Sequence, residues 1–235
     1  MPKRPDPALS GDALGYDAYT FTEMFPGPFD GSGKAGKPAQ KPKTGDVLII
    51  GIGGTFRPKS STELVVQSIL NEAEKRGART EMFDGQALDF PIYGPDVANR
   101  PPKITAYLDA VRRADAIVIG SPGYHGSVSG LIKNALDYIE DLSKDDPAYL
   151  AGKAVGCAAT GFGWQGANAA LTTLRQIAHA LRGWPAPMGI TINSIEQKFS
   201  AEAICDDEKA QRQIAILAND LVLFARKTRG GREAE

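Results

Sequence analysis

Asp115-Ala116-Ile117-Val118-Ile119-Gly120-Ser121-Pro122-Gly123-Tyr124-His125-Gly126-Ser127-Val128-Ser129-Gly130-Leu131-Ile132-Lys133-Asn134-Ala135-Leu136-Asp137 is the stretch on which the fold turns. Its opening, Asp115 to Gly120, is a short continuous apolar run, the pattern of a strand buried on both faces. From Val128 to Leu142 the period changes, with Val128, Ile132, Ala135 and Ile139 on one helical stripe. Between them lies a loop punctuated by proline and glycine. Buried strand, glycine-bearing loop and amphipathic helix form a unit that recurs on both sides.

Upstream, Val47 to Ile52 is a second apolar run, and Ser61 to Arg76 follows as a helix with Val65, Ile69 and Ala73 inward, stopped by Gly77. Arg79 to Asp84 is a weaker strand. A loop through Pro91, Tyr93, Gly94 and Pro95 leads to a helix over Pro102 to Arg113, facing inward with Ile104, Leu108 and Val111. Downstream, Lys153 to Thr160 and Met188 to Ile192 are strands. Gln165 to Leu181 is a helix with Leu171, Leu174, Ala178 and Leu181 inward. Asp206 to Lys227 closes the domain with Ile214, Leu217, Leu221 and Phe224. Five strands alternating with five helices specify an α/β domain with a parallel sheet covered on both faces. Right-handed crossovers restrict its topology. Ligands of such sheets bind beyond the carboxyl ends of the strands, so the loops after strands one, three and four are the informative ones.

Bulk properties exclude several classes. The 235 residues, 42% of them hydrophobic, suffice for one α/β domain. A formal net charge of −1 with interspersed signs gives no footprint for nucleic acid. No apolar run approaches the roughly 18 to 20 residues of a membrane span. The N-terminus has no apolar signal region. Cys157 and Cys205 lack metal-ligand spacing, and Cys157 falls in a strand as core filler. The expectation is a soluble cytoplasmic protein.

The loop after strand one reads Gly51-Ile52-Gly53-Gly54-Thr55-Phe56-Arg57-Pro58-Lys59-Ser60-Ser61-Thr62-Glu63. Phe56 stands where a dinucleotide fingerprint needs its third glycine, and the Gly-Lys-Ser/Thr of a P-loop is missing. What remains is a hydroxyl cluster, an arginine and a helix N-terminus. This chemistry suits a terminal phosphate monoester, held by free N–H groups, hydroxyls and Arg57. Ser60 and Glu63 also form a capping box, so Ser60 is read equally as a helix cap.

Ser121 to Asp137 resembles the NADPH-dependent FMN reductase family, with its Pro-x-Tyr-Asn-Gly-Ser loop followed by Lys-Asn-Ala-Leu-Asp in the next helix. The likeness extends over about residues 46 to 195. It takes in Gly54-Thr55-Phe56-Arg57, where the family has Gly-Ser-x-Arg, and the turn Phe90-Pro91-Ile92-Tyr93. It implies a flavodoxin-like, doubly wound five-stranded sheet of order 2-1-3-4-5. It also implies FMN as cofactor, with NADPH or NADH as electron donor. Carried over by position, Thr55, Arg57, Ser60, Ser61 and Thr62 correspond to the phosphate cradle. Pro122, Gly123, Tyr124, His125, Gly126 and Ser127 correspond to the wall beside the isoalloxazine ring. His125 departs from the family's Asn. It is read either as a pH-sensitive contact or as a neutral loop histidine bonding through its backbone. Lys133, Asn134 and Asp137 are read as structural.

Thr160-Gly161-Phe162-Gly163-Trp164-Gln165-Gly166 follows strand four, and its glycines imply a tight turn or close approach to a ligand. The resemblance places Thr160, Gly161, Phe162 and Gly163 along the other side of the ring. Trp164 fits either the nicotinamide pocket or a subunit contact, and His179 is read as a packed or surface helix residue. No catalytic side chain and no metal ligand is named, because hydride chemistry belongs to the flavin. The implied activity is hydride transfer from nicotinamide to FMN, with reduced flavin passed to a partner monooxygenase. The alternatives are reduction of a quinone, azo dye or metal oxyanion on tightly bound FMN, or a non-enzymatic electron carrier.

Residues 46–228 thus form the FMN-binding domain and 229–235 a polar tail. Residues 1–45 carry seven of the sixteen prolines and no sustained periodicity, which marks an irregular arm. Tyr16, Tyr19, Phe21, Met24, Phe25 and Phe29 in that arm need a folded surface to cover them. A neighbouring subunit of the homodimer or homotetramer implied by the resemblance is the favoured surface. Removing residues 1–43 should therefore lower the mass measured by light scattering while flavin binding persists. An unchanged mass would dismiss the assembly role.

Overall fold

The computed structural model describes residues 47–95 and 99–232, so the arm expected over residues 1–45 lies outside the described residues. The elements are β1 (Leu48–Ile52), α1 (Ser61–Glu74), β2 (Arg79–Phe83), α2 (Pro102–Arg113), β3 (Ala116–Tyr124), β4 (Ser127–Val128) and α3 (Gly130–Asp137). A 3-10 segment (Tyr138–Leu142), β5 (Ala154–Gly161), α4 (Trp164–Ala180), β6 (Trp184–Asn193) and α5 (Glu208–Arg232) complete them. The sheet order is β2-β1-β3-β5-β6, all parallel, with β4 antiparallel to the end of β3. Apart from β4, this is the expected five-stranded order.

The apolar strands alternate between two cores, as a doubly wound sheet requires. Ile50, Ile52, Ile117, Ile119, Val155 and Cys157 face α2, α3 and α4, whose Ile104, Leu108, Ile132, Ala135, Leu174 and Ala178 cover them. Ile49, Ala116, Val118, Ala158 and Ile190 face α1 and α5, represented by Val65, Ile69, Leu217 and Leu221. Each of the larger aliphatic side chains contributes roughly 1.5–3 kcal/mol on burial. Burial pushes the Cys157 thiol up to about 12, consistent with core filler. Tyr107, fully buried, donates its hydroxyl to the Ala135 carbonyl at 3.0 Å and is held protonated by desolvation.

Several boundaries differ from the sequence expectation. β3 does not stop at Gly120: Ser121 and Pro122 pair with Ala159 and Thr160 of β5, and Gly123 and Tyr124 pair back on Val128 and Ser127. Val128 therefore belongs to β4. The next helix begins at Gly130 behind the Ser129 cap and tightens into the 3-10 segment from Tyr138. β6 begins at Trp184, four residues earlier than read. Pro185 and Pro187 obscured it, and both are tolerated because β6 is an edge strand. Residues 229–232, expected in the polar tail, continue α5.

Asn134, 8% exposed, shows why part of the family-like helix is structural. Its Oδ1 accepts the Tyr93 N–H at 2.8 Å, and its Nδ2 donates to the carbonyls of Pro91 at 2.9 Å and Phe90 at 3.3 Å. Tyr138 adds a hydroxyl on the Pro91 carbonyl at 3.1 Å. Arg100 seals the same turn: it lies 5.0 Å from the Tyr93 and Tyr138 ring centres and donates to both Asp141 oxygens at 2.7 and 2.8 Å. Lys133 forms a surface pair with Asp137 at 2.6 Å. Asn134→Ala leaves the Tyr93 N–H without its acceptor, so chemical denaturation should show a loss of about 1–3 kcal/mol. Lys133→Ala should change stability by under about 1 kcal/mol.

Candidate functional site

The carboxyl ends of β1, β3, β5 and β6 open into a cleft of about 400 Å³, within the range of small-molecule sites. From the first loop, Thr55, Arg57, Ser60, Ser61 and Thr62 line it. Gly54, at φ 130°, turns the chain onto Gly85, where a Cβ would lie 2.0 Å from the Thr55 carbonyl oxygen. This contact, invisible as a motif after strand two, sets the height of the loop. The Thr55 hydroxyl closes the loop's own turn, accepting the Arg57 N–H and donating to the Arg57 carbonyl at 3.2 Å each. Arg57 is exposed and forms no ion pair among the described residues.

Ser60 caps α1, its hydroxyl accepting the Glu63 N–H at 3.2 Å. The reciprocal arm of the expected box reaches one residue further back, with Glu63 Oε2 accepting the Lys59 N–H at 2.9 Å. Lys59 has a left-handed backbone, φ 54°, which brings that N–H over the first turn. Ser60 is thus a cap, as one of its two readings had it, and it also lines the cleft. Ser61 and Thr62 begin the helix, where no intrahelical carbonyl reaches their N–H groups. Thr62 is buried and its Oγ1 lies 2.6 Å from Thr160 Oγ1, tying the first turn of α1 to the end of β5.

Pro122, Gly123 and Tyr124 line the second wall, with Tyr124 54% exposed. A Cβ on Gly123 would fall 2.5 Å from the Gly166 carbonyl oxygen, so the strand extension lies directly against α4. His125 and Gly126, at φ 51° and 84°, are the central pair of a two-residue hairpin turn between β3 and β4. The buried Ser121 hydroxyl anchors its return, accepting the Ser129 N–H at 2.9 Å. His125, Gly126 and Ser127 stand at this tip and are not among the cleft-lining residues, although their motif position placed them beside the ring. The turn itself accounts for residue 125. A left-handed position favours Asn, Asp or His over other side chains, so His125 suits this backbone as an Asn would.

Thr160, Gly161 and Phe162 form the third wall, with Phe162 79% exposed. Gly163 is the extended N-cap of α4, without a side-chain cap and outside the lining. Trp164 opens α4 at 42% exposure, also outside the lining, and His179 is exposed in the last turn of the same helix. Ser194, just past β6, completes the cleft. Its signal was position alone: it follows the last apolar residues of strand five, at a loop that carries no motif.

Residues 47–197 match the family model described as NADPH-dependent FMN reductase. An NAD(P)H-dependent FMN reductase of Pseudomonas aeruginosa is 28% identical over 188 residues, spanning 79% of this chain and 98% of that protein. An FMN-dependent NADPH-azoreductase of Staphylococcus saprophyticus is 30% identical over 187 residues, spanning 75% of this chain and 94% of its own. Among solved structures, an oxidoreductase from Corynebacterium diphtheriae has a TM-score of 0.61 at 17% identity, covering 77% of this chain and 98% of that one, a likeness of fold. Because the match runs from the residue before β1 to the turn after β6, it takes in every loop around the cleft, and the chain belongs to the NADPH-dependent FMN reductase family.

Proposed function

We propose that the chain is an NAD(P)H-dependent flavin reductase that holds FMN in this cleft. The observation that carries the reading is the hydroxyl-lined N-terminus of α1 beside Arg57. FMN ends in a phosphate bearing roughly −1.5 to −2 charges at neutral pH, by analogy with phosphorylated side chains. The N–H groups of Ser61 and Thr62, the hydroxyls of Ser60 and Ser61 and the Arg57 guanidinium match that group in charge and donor geometry. Thr55, with its hydroxyl engaged in the turn, shapes the loop around it.

The ring end of the cofactor falls to Pro122, Gly123, Tyr124, Gly161 and Phe162. Glycines 123 and 161 leave backbone groups uncovered, and Tyr124 and Phe162 offer flat apolar faces. The hairpin tip of His125, Gly126 and Ser127 and the cap at Gly163 support these walls from outside. Held by these residues, FMN would supply the redox chemistry between a nicotinamide nucleotide and an acceptor. Among the described residues, the lining includes no carboxylate, histidine or cysteine. In this reading the chain's own share is binding, orientation and exclusion of water.

A second reading is reduction of planar acceptors, quinones or azo compounds, on retained FMN. The exposed Tyr124 and Phe162 support it, since they leave apolar area at the cleft for a second ring. The staphylococcal relative's description as an azoreductase supports it too. A carrier without enzymatic turnover fits less well, because a net charge of −1 provides little steering toward redox proteins. The reading includes a homo-oligomer in the cytoplasm, with reduced flavin passed to a monooxygenase where FMN is released. Steady NAD(P)H oxidation against FMN, quinone and azo acceptors separates these cases. A protein that binds FMN yet oxidises neither nucleotide is a carrier.

Arg57→Ala should weaken FMN about 10- to 100-fold, the loss of a charge-assisted hydrogen bond, and leave riboflavin within about twofold. Equal weakening of both in a fluorescence titration removes the phosphate from this loop. Tyr124→Ala should shift the bound-flavin absorption spectrum and slow single-turnover flavin reduction while the thermal midpoint stays in place. Unchanged spectrum and rate would take Tyr124 out of the ring wall.

A further inference from the structure

The loop after β6 belongs to none of the family-like motifs, yet Ser194 brings it to the cleft. Its construction is dense. Asn193, 4% exposed, donates its N–H to Gln197 Oε1 at 3.0 Å, accepts the Ile195 N–H on Oδ1 at 3.1 Å, and donates Nδ2 to Glu196 Oε1 at 2.6 Å. The Ser194 N–H crosses to the neighbouring loop and donates to the Gly161 carbonyl at 2.8 Å. The Ser194 carbonyl accepts from Lys198 Nζ. Both backbone polar groups of Ser194 are thus held, while its hydroxyl makes no hydrogen bond among the described residues.

Position decides which end of the cleft this hydroxyl serves. Ser194 is bonded to Gly161, Gly161 follows Thr160, and Thr160 meets Thr62 in the first turn of α1. Ser194 and Thr62 are thus held by adjacent residues at the end of β5, Gly161 and Thr160, and both line the cleft beside the point where the ring wall begins. An Asx-type turn ending β6 accounts for Asn193 alone. It does not account for a serine fixed at both backbone groups with its side chain left over at a ligand cleft. A donor locked by its surroundings before the ligand arrives binds at lower ordering cost than a mobile one.

We propose that Ser194 donates its hydroxyl to the phosphate of the bound flavin nucleotide, making the β6 loop a further wall of the cradle. Lys198, through its Nζ on the Ser194 carbonyl, helps hold this loop in place. The proposal rests on the FMN reading above.

The test titrates the full-length apoprotein with FMN and with riboflavin for the unaltered chain, Ser194→Ala, Ser194→Thr and Arg57→Ala. Ser194→Ala should weaken FMN about tenfold and riboflavin by less than about twofold, with Ser194→Thr recovering most of the FMN affinity because the hydroxyl returns. Unfolding midpoints of the apoproteins separate a ligand contact from a loss of fold. An unaltered FMN affinity in Ser194→Ala overturns the proposal. So does an equal loss for both flavins that threonine fails to recover. If Arg57→Ala abolishes the preference for FMN and Ser194→Ala preserves it, the cradle reading survives and Ser194 leaves it. If the unaltered chain binds both flavins equally, the cradle reading fails and Ser194 falls with it.

Discussion

The site depends on how closely α1 can lie on the sheet. A Cβ on Gly120 would fall 2.3 Å from Val66 Cγ2, and one on Gly53 would fall 2.8 Å from the same atom. With hydrogen at both positions, Val66 descends between β1 and β3 and α1 takes a low seat. That seat aims its first turn across the sheet at the end of β5, where the Thr62 and Thr160 hydroxyls meet at 2.6 Å. Any side chain at Gly120 would lift the helix, part this contact and turn the N–H groups of Ser61 and Thr62 away from the cleft. The partial positive charge of a helix N-terminus acts within about one turn, so a shift of that kind removes its effect on an anion.

The opposite wall rests on a second close approach. Gly123 lies against the Gly166 carbonyl, and the β3 extension can run past the sheet only because nothing stands between them. The hairpin turn at His125 and Gly126 then returns the chain to Ser129, which caps α3. Tyr124 is thereby presented on a strand rather than on a mobile loop. Strand-borne groups hold their geometry better than loop-borne ones, which matters where two flat rings must approach face to face.

Charge is arranged locally rather than globally. The chain as a whole is near neutral, and the cleft lining includes one cation, Arg57, with its acidic neighbour Glu63 engaged at the Lys59 N–H. An anion entering the cleft thus meets a guanidinium and helix N–H groups, while the Glu63 and Glu196 carboxylates beside it are engaged in hydrogen bonds of their own loops. Such an arrangement serves recognition of a small ligand at short range, where the low dielectric of a cleft strengthens each contact. Long-range steering of a charged partner protein calls for a broader single-sign field.

The sequence by itself determined the layers and their order. Apolar runs such as Ala116 to Ile119 can be buried only inside a covered sheet, and helical stripes such as Val65, Ile69 and Ala73 need a sheet face to cover. Hydroxyls with Arg57 at the start of a helix also carry their chemistry in their composition. Local periodicity, however, says nothing about which side chain a backbone turn points inward. Tertiary structure alone decided that Tyr124 faces the cleft while His125, one residue on, sits at a left-handed tip outside it. It alone brought Gly85 beneath Thr55, and Ser194 beside Gly161 and Thr160. These are contacts between segments 30 residues or more apart in sequence. They exist because parallel crossovers return distant strand ends to one edge of the sheet, and no local pattern encodes that meeting.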